Sequence, residues 1–219
     1  MSSATGTTSQ HYDEAYFKWQ QPAAKFGGWA NLTKFQRYVR PEFNVIDFGC
    51  GPGYLLQNLK CKGKIGIEIN PASREEAARN GMEVHPTSSS VPDDWADLIV
   101  SDNALEHCLY PLEEVKKLTK KVKRGGHLVF VVPCESIHMK YGPNDINQHL
   151  YSWSPLSAGN FFNQAGLLVK ESKAYIHKWP PGYQYVARFG GRLMFELAAR
   201  ISGQLRRSWF QIRVVAQRL

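Results

Sequence analysis

Two short stretches of this 219-residue chain place chemistry-bearing groups close together: Val45-Ile46-Asp47-Phe48-Gly49-Cys50-Gly51-Pro52-Gly53 and, fifteen residues after Gly53, Glu68 in Gly66-Ile67-Glu68-Ile69-Asn70. An apolar run that ends in an acidic residue and opens into alternating glycines lets the backbone turn sharply beneath a ligand and aims a helix N-terminus at it. A carboxylate near the end of the next strand can accept both hydroxyls of a ribose. The pair indicates a nucleoside-containing cofactor. A dinucleotide site needs glycine or alanine at the sixth position of G-x-G-x-x-G, for close helix packing. Tyr54 stands there. The D-x-G-x-G-x-G form leaves room for an amino-acid moiety instead, with Asp47 near a cationic ligand.

Regular elements must hold these residues in place. Strand patterns run over 44–49, 64–70, 82–86, 97–102, 127–133, 167–179 and 210–218, and helical patterns over 53–60, 71–80, 111–123 and 155–165. Strands that alternate with helices, several of them continuous apolar runs, predict a parallel sheet covered on both faces. The expected fold is a doubly wound, Rossmann-like α/β domain with a mostly parallel sheet, a C-terminal antiparallel strand, an N-terminal helical lid and a C-terminal basic amphipathic helix inserted between the last strands. In helix 111–123, Leu112, Val115, Leu118 and Val122 form the apolar stripe and the lysines a solvated face, with Gly125-Gly126 as C-cap.

The organisation expected along the chain is a disordered Ser/Thr/Gly-rich stretch over 1–10 and one domain over 11–219. Within that domain, 11–43 form a cap, 44–133 the cofactor-binding core, 134–154 a substrate loop and 180–208 the basic helical insertion. No apolar run is long enough to span a bilayer, and residues 1–10 lack the features of an export signal. Cys50, Cys61, Cys108 and Cys134 form no C-x-x-C pair and no zinc-type spacing, so reduced thiols in a cytoplasm are expected and no metal-ligand set stands out.

The net charge of +8 is local. Residues 170–219 hold ten basic and two acidic groups, and before them 17 basic and 17 acidic residues cancel. On a helical wheel of 192–207, Leu193, Met194, Leu197, Ala198, Ile201 and Leu205 share one arc, and Arg192, Arg200, Arg206 and Arg207 the opposite one. The simplest expectation packs the apolar arc on the sheet and leaves the arginines outward. There they would meet an acceptor's phosphate or an anionic membrane surface.

Four motifs in order, VIDFGCGPG, GIEINP, DLIVSDNALEH and GGHLVFVVP, make the chain from Asn44 to Pro133 resemble the class I S-adenosylmethionine-dependent methyltransferases, in particular the small-molecule type 11/12 group. The resemblance implies S-adenosyl-L-methionine as cofactor. It also implies Gly49, Gly51 and Gly53 along the methionine side, Asp47 supporting the loop and the ligand's ammonium, Glu68 on the ribose and Asn103 at the amino-acid end. Where relatives often show an acidic adenine contact this chain has Thr87-Ser88-Ser89-Ser90, and Ser88 or Ser89 is the substitute.

Methyl transfer to an alcohol needs the hydroxyl proton removed, for which His107, its neighbour Glu106 and His149 are the candidates. His107 could equally organise its loop, and His149 could gate the pocket or pack under Tyr151 and Trp153; His138 has no recognisable partner. The flanks YDEAYFKWQ, FGG, VPCE and NDINQHLYSW are similar to methyltransferases of bacterial glycan and surface-polysaccharide biosynthesis. They imply a small-molecule or glycan-like acceptor, methylated on an oxygen of a sugar or phosphate-linked sugar. Tyr141, Trp153, Trp179 and Tyr183 are candidates to stack on it. An RNA or other nucleic-acid methyltransferase is the alternative, disfavoured for base amino groups because Ser101-Asp102-Asn103-Ala104 replaces [DNS]-P-P-[YFW]. A non-catalytic partner or membrane-binding protein of the same fold is the third reading. The expected location is cytoplasmic, with attachment at the inner face of the membrane through the basic helix as a variant; the oligomeric state stays open.

Overall fold

The computed structural model describes residues 23–143, 145, 147–206 and 209–219. The disorder expected over 1–10, the aromatic stretch 11–20 and Arg207 lie outside the described residues.

Seven strands form one sheet: β1 (Asn44–Phe48), β2 (Gly63–Ile67), β3 (Glu83–His85), β4 (Ala96–Asp102), β5 (Val122–Glu135), β6 (Leu168–Tyr175) and β7 (Trp209–Gln217), in the order β3-β2-β1-β4-β5-β7-β6. The first five pair in parallel, and β7 lies antiparallel between β5 and β6. This is the doubly wound fold expected. The strand order reverses between β1 and β4, so a crevice opens at their C-terminal ends, where such sheets bind ligands.

Among the described residues the α-helices are α1 (residues 23–30), α2 (Leu32–Phe35), α3 (Tyr54–Asn58), α4 (Pro71–Arg79), α5 (Pro111–Lys121), α6 (Pro155–Gln164) and α7 (Tyr183–Leu205). Adjacent strand residues point to opposite faces, which is why the central strands are apolar throughout. Ile46, Ile99, Leu128 and Phe130 pack under Val115 and Leu118 of α5 and Phe162 of α6. Val45, Leu98, Val100 and Val129 pack with Leu55 and Leu56 of α3 and Phe35 of α2 on the other face.

Local chemistry explains the helix starts. Asn70 caps α4 by accepting from the amides of Ala72 (2.9 Å) and Ser73 (3.3 Å), with Pro71 behind it, and Ser154 and Ser157 form a capping box at α6. On α5, Lys116 and Lys117 pair with Glu113 and Glu114 one turn earlier, so most of the lysine face is solvated as expected, but Lys121 is buried against Asp93.

Two expectations need correction. Gly125-Gly126 does not cap α5, which ends at Lys121; the pair sits in an irregularity of β5, where the amide of Gly125 donates to Arg218 and the amide of Arg218 donates to Gly126. The second concerns α7. Its two halves meet at Gly191 (φ 62°, ψ −165°), so the amphipathic segment does begin at 192, but the face turned inward is the reverse of the one expected. Phe195, Ala199, Ser202 and Gly203 are buried, whereas Leu193 (82% exposed), Leu197 (54%), Ile201 and Leu205 face outward. Arg192 also turns inward, over the ring of Trp29 and donating to its carbonyl. Phe195 joins an aromatic cluster with Phe26, Trp29 and His177, and Gly203 lies against Ile176, closer than a side chain permits. Contact with a compact aromatic group decides the orientation over the summed hydrophobicity of the arc. No described helix is long and apolar enough to cross a membrane.

Candidate functional site

The glycine loop begins where β1 ends. The amides of Gly49 and Cys50 both donate to the Ile67 carbonyl (2.8 and 3.1 Å), which folds the loop over the end of β2. Gly49 has φ 74°, and a Cβ there would lie 2.2 Å from that of Ala104, so no other residue fits without moving β4's outgoing loop. Glu68, just past β2, accepts from the Gly51 amide (2.9 Å) and the Asn70 amide (2.7 Å), tying the loop to the start of α4. Burial pushes its carboxyl up, and those two amide bonds oppose the shift. Beneath the loop Asp47 is buried; desolvation first, then the neighbouring Asp102 and Glu68, push it up to about 8.

A cavity of about 410 Å³ opens above the loop. Gly49, Gly51, Glu68, Ser88, Asn103 and His107 line it, as do Asp102 and Glu114. Ser88 is buried in a 3-10 turn (Ser88–Ser90) and donates its hydroxyl to Glu114 of α5, which brings an acidic group to the wall where the local sequence has only hydroxyls. Asp47 and Gly53 are not among the residues that line the cavity. Asn103 takes a left-handed conformation (φ 54°) that asparagine tolerates, and its amide donates to Val131.

Beyond Asn103 a 3-10 turn, Leu105–His107, carries Glu106 into the interior. Glu106 is fully buried, with no hydrogen bond to either carboxylate oxygen. Burial pushes it well above the usual carboxylate range, and Asp102 and Glu135 add to the effect. The loop after β5 returns to this turn: the Leu150 amide donates to the Glu106 carbonyl (3.0 Å) and the Tyr151 hydroxyl to the Leu109 carbonyl (3.1 Å). His149 is thereby set beside His107, with ring centroids 5.0 Å apart. Its Nδ1 is 2.7 Å from Glu135 and its Nε2 is 3.9 Å from Glu106.

The model of the methyltransferase domain family matches residues 12–172, nearly three quarters of the chain. This chain belongs to the methyltransferase domain family. It is similar to the ribosomal protein L11 methyltransferase of Erwinia tasmaniensis, 39% identical over 93 residues that cover 38% of this chain and 31% of that protein. The match therefore spans about a third of the curated relative. Among solved structures, the complex between the Haloferax volcanii Trm112 methyltransferase activator and a methyltransferase contains a similar chain (TM-score 0.67, 18% identity, 94% of this chain and 97% of that one). Phosphoethanolamine N-methyltransferase 2 of Haemonchus contortus in complex with S-adenosyl-L-methionine is similar too (TM-score 0.59, 11% identity, 86% of this chain and 52% of that one). At such identities these two likenesses speak for the fold. As a member of the family, this methyltransferase takes S-adenosyl-L-methionine as its cofactor.

Sequence reasoning missed several residues of the methyltransferase site. Lys34 of α2, almost fully buried, reaches the Asp102 carboxylate at the cavity wall. No pattern signals a buried lysine in a four-residue helix. Glu135 had a signal, VPCE, but its link to His149 lies across the loop. Trp179 and Tyr183 pack against Phe26, Trp153 is buried against Phe161, and Tyr141 is almost fully exposed, so three of the four aromatics named for sugar stacking are packing residues.

Proposed function

We propose that this methyltransferase moves the methyl group of S-adenosyl-L-methionine to an oxygen of a small-molecule or glycan-like acceptor, a sugar or phosphate-linked sugar hydroxyl. The observation that carries the reading is His107 on the cavity wall with the imidazole of His149 beside it, itself outside the lining and braced by Glu135.

The fit of the cofactor rests on the cavity. Gly51 has open space where a Cβ would stand, so the loop can lie against a ligand, and Glu68, half-buried at the wall, is within reach of a ribose. In this reading Gly49, Gly51 and Gly53 shape the methionine side, Asp47 supports the loop against the ligand's ammonium, Asn103 contacts the amino-acid end and Ser88 the adenine. S-adenosylmethionine supplies a methyl group activated by its sulfonium. The chain's part is to hold an acceptor oxygen in line with that methyl, which accounts for much of the rate. The histidine pair receives the hydroxyl proton, and Glu135 at Nδ1 of His149 keeps Nε2 turned inward.

Methyl transfer from labelled cofactor, screened over nucleotide sugars, glycolipids and RNA, tests the assignment. A sugar hydroxyl product supports it; a product on RNA overturns it.

A further inference from the structure

We propose that Glu106, His107 and His149 form a binding site for a divalent transition-metal ion at the acceptor side of the cavity.

Three observations carry this. Each of the three side chains offers one ligand atom, and these atoms lie within 4.8 Å of one another, close enough to converge on one ion. Glu106 is fully buried with both carboxylate oxygens unbonded, although a buried polar atom without a partner is costly and native proteins rarely leave one. A cation between Glu106 Oε1 and the two imidazoles would satisfy it. The third observation is the outer shell: Glu135 takes Nδ1 of His149 at 2.7 Å, which leaves Nε2 as the ligating nitrogen facing Glu106 at 3.9 Å. A carboxylate on the far nitrogen of a ligating histidine is the usual support of a metal site.

The backbone holds the set together. Glu106 and His107 are neighbours on the 3-10 turn, and the bonds from Leu150 and Tyr151 fasten the loop that brings His149 over them. Two imidazoles and one carboxylate suit zinc, iron(II), cobalt(II) or manganese better than magnesium or calcium, which prefer all-oxygen shells. Three protein ligands leave coordination positions open, the pattern of a catalytic rather than a structural ion. His107 lines the cavity, so those positions face the acceptor. An ion there would coordinate an acceptor oxygen and orient it in the cavity. This last step rests on the proposed transfer to oxygen; the site itself does not.

The test titrates chelator-stripped full-length protein with Co²⁺, read by visible absorption, and with Zn²⁺ and Mg²⁺ by calorimetry. Wild type and His138→Ala, whose histidine lies outside the cluster, are expected to bind one Co²⁺ or Zn²⁺ per chain, and Mg²⁺ much more weakly. Glu106→Gln and His149→Ala are expected to lose at least tenfold in affinity, with S-adenosylhomocysteine binding retained as the check on folding. Absence of binding by wild type, or equal binding by both variants, overturns the site. Failure of the acceptor reading is distinct: metal binds as stated, but no sugar hydroxyl is methylated.

Discussion

Lys34 Nζ lies 2.7 and 2.9 Å from the two carboxylate oxygens of Asp102, so an ion pair with little access to water joins α2 to the end of β4. Asp102 lines the cavity and its charge also bears on Asp47 and Glu106. Helix α2 is therefore anchored in the site itself.

Removing one member of a buried pair leaves the other charge uncompensated, at a cost of roughly 3–5 kcal/mol. Lys34→Met is expected to lose about that much in urea unfolding. Lys34→Met with Asp102→Asn is expected to lose clearly less than the sum of the single changes, and a double-mutant cycle that finds additivity contradicts the coupling.

Glu68 organises the loop through two amides whether or not a ribose is present. Glu68→Ala leaves both amides without that acceptor and takes away the proposed ribose contact, so S-adenosylhomocysteine affinity is expected to fall about 10- to 100-fold, the equivalent of roughly 1.4–3 kcal/mol. Calorimetry that finds wild-type affinity in this variant rejects the ribose role.

The buried Asp47 supplies a pH dependence. Its carboxyl moves from 3.8 unfolded to about 8 in the fold, so between those values the native state holds a proton that the unfolded chain has released. Stability contributed by this group is full below about pH 4 and falls as pH rises toward about 8. Glu68, also raised, acts in the same sense. Thermal melts of the cofactor-free protein should show that decline, and Asp47→Asn should flatten it. A cationic ligand favours the ionised form, so binding of S-adenosylmethionine, a sulfonium, near neutral pH should release protons, read as a dependence of the calorimetric heat on buffer ionisation.

Gly28 shows how the Tyr54 departure from the dinucleotide fingerprint is accommodated. A Cβ on Gly28 would lie 2.5 Å from Cβ of Tyr54 and 2.6 Å from its backbone, so α1 meets the start of α3 only because Gly28 has no side chain. Gly28→Val is expected to cost about 1–3 kcal/mol through overpacking. Gly142→Ala, with nothing within 4 Å, should be close to neutral in the same unfolding assay.

The sheet was legible because its signal is local: continuous apolar runs mark strands buried on both faces, and the glycine loop with Glu68 marks the crevice where the strand order reverses. Seven of the site candidates named from sequence line the cavity for the same reason, since each follows directly on a strand or the turn beyond it. The Glu106–His107–His149 group was only half legible. Glu106 and His107 are adjacent, but His149 arrives by way of a loop without periodicity, and no pattern in the sequence encodes the bonds from Leu150 and Tyr151 that fix it.

The inward face of α7 was illegible for a different reason. Hydrophobic periodicity weighs side chains by transfer energy, and Leu193, Leu197, Ile201 and Leu205 outweigh a stripe of Ala199, Ser202 and Gly203. Packing favours the small stripe, because it lets the helix approach Ile176 while Phe195 enters the aromatic cluster. Leu193→Ser and Leu197→Ser are thus expected to change stability by no more than about 0.5 kcal/mol, as exposed substitutions do. Gly203→Val, whose Cβ would lie 2.8 Å from the Ile176 side chain, is expected to cost about 1–3 kcal/mol. The opposite ranking in urea unfolding would mean that the leucine arc is the buried one.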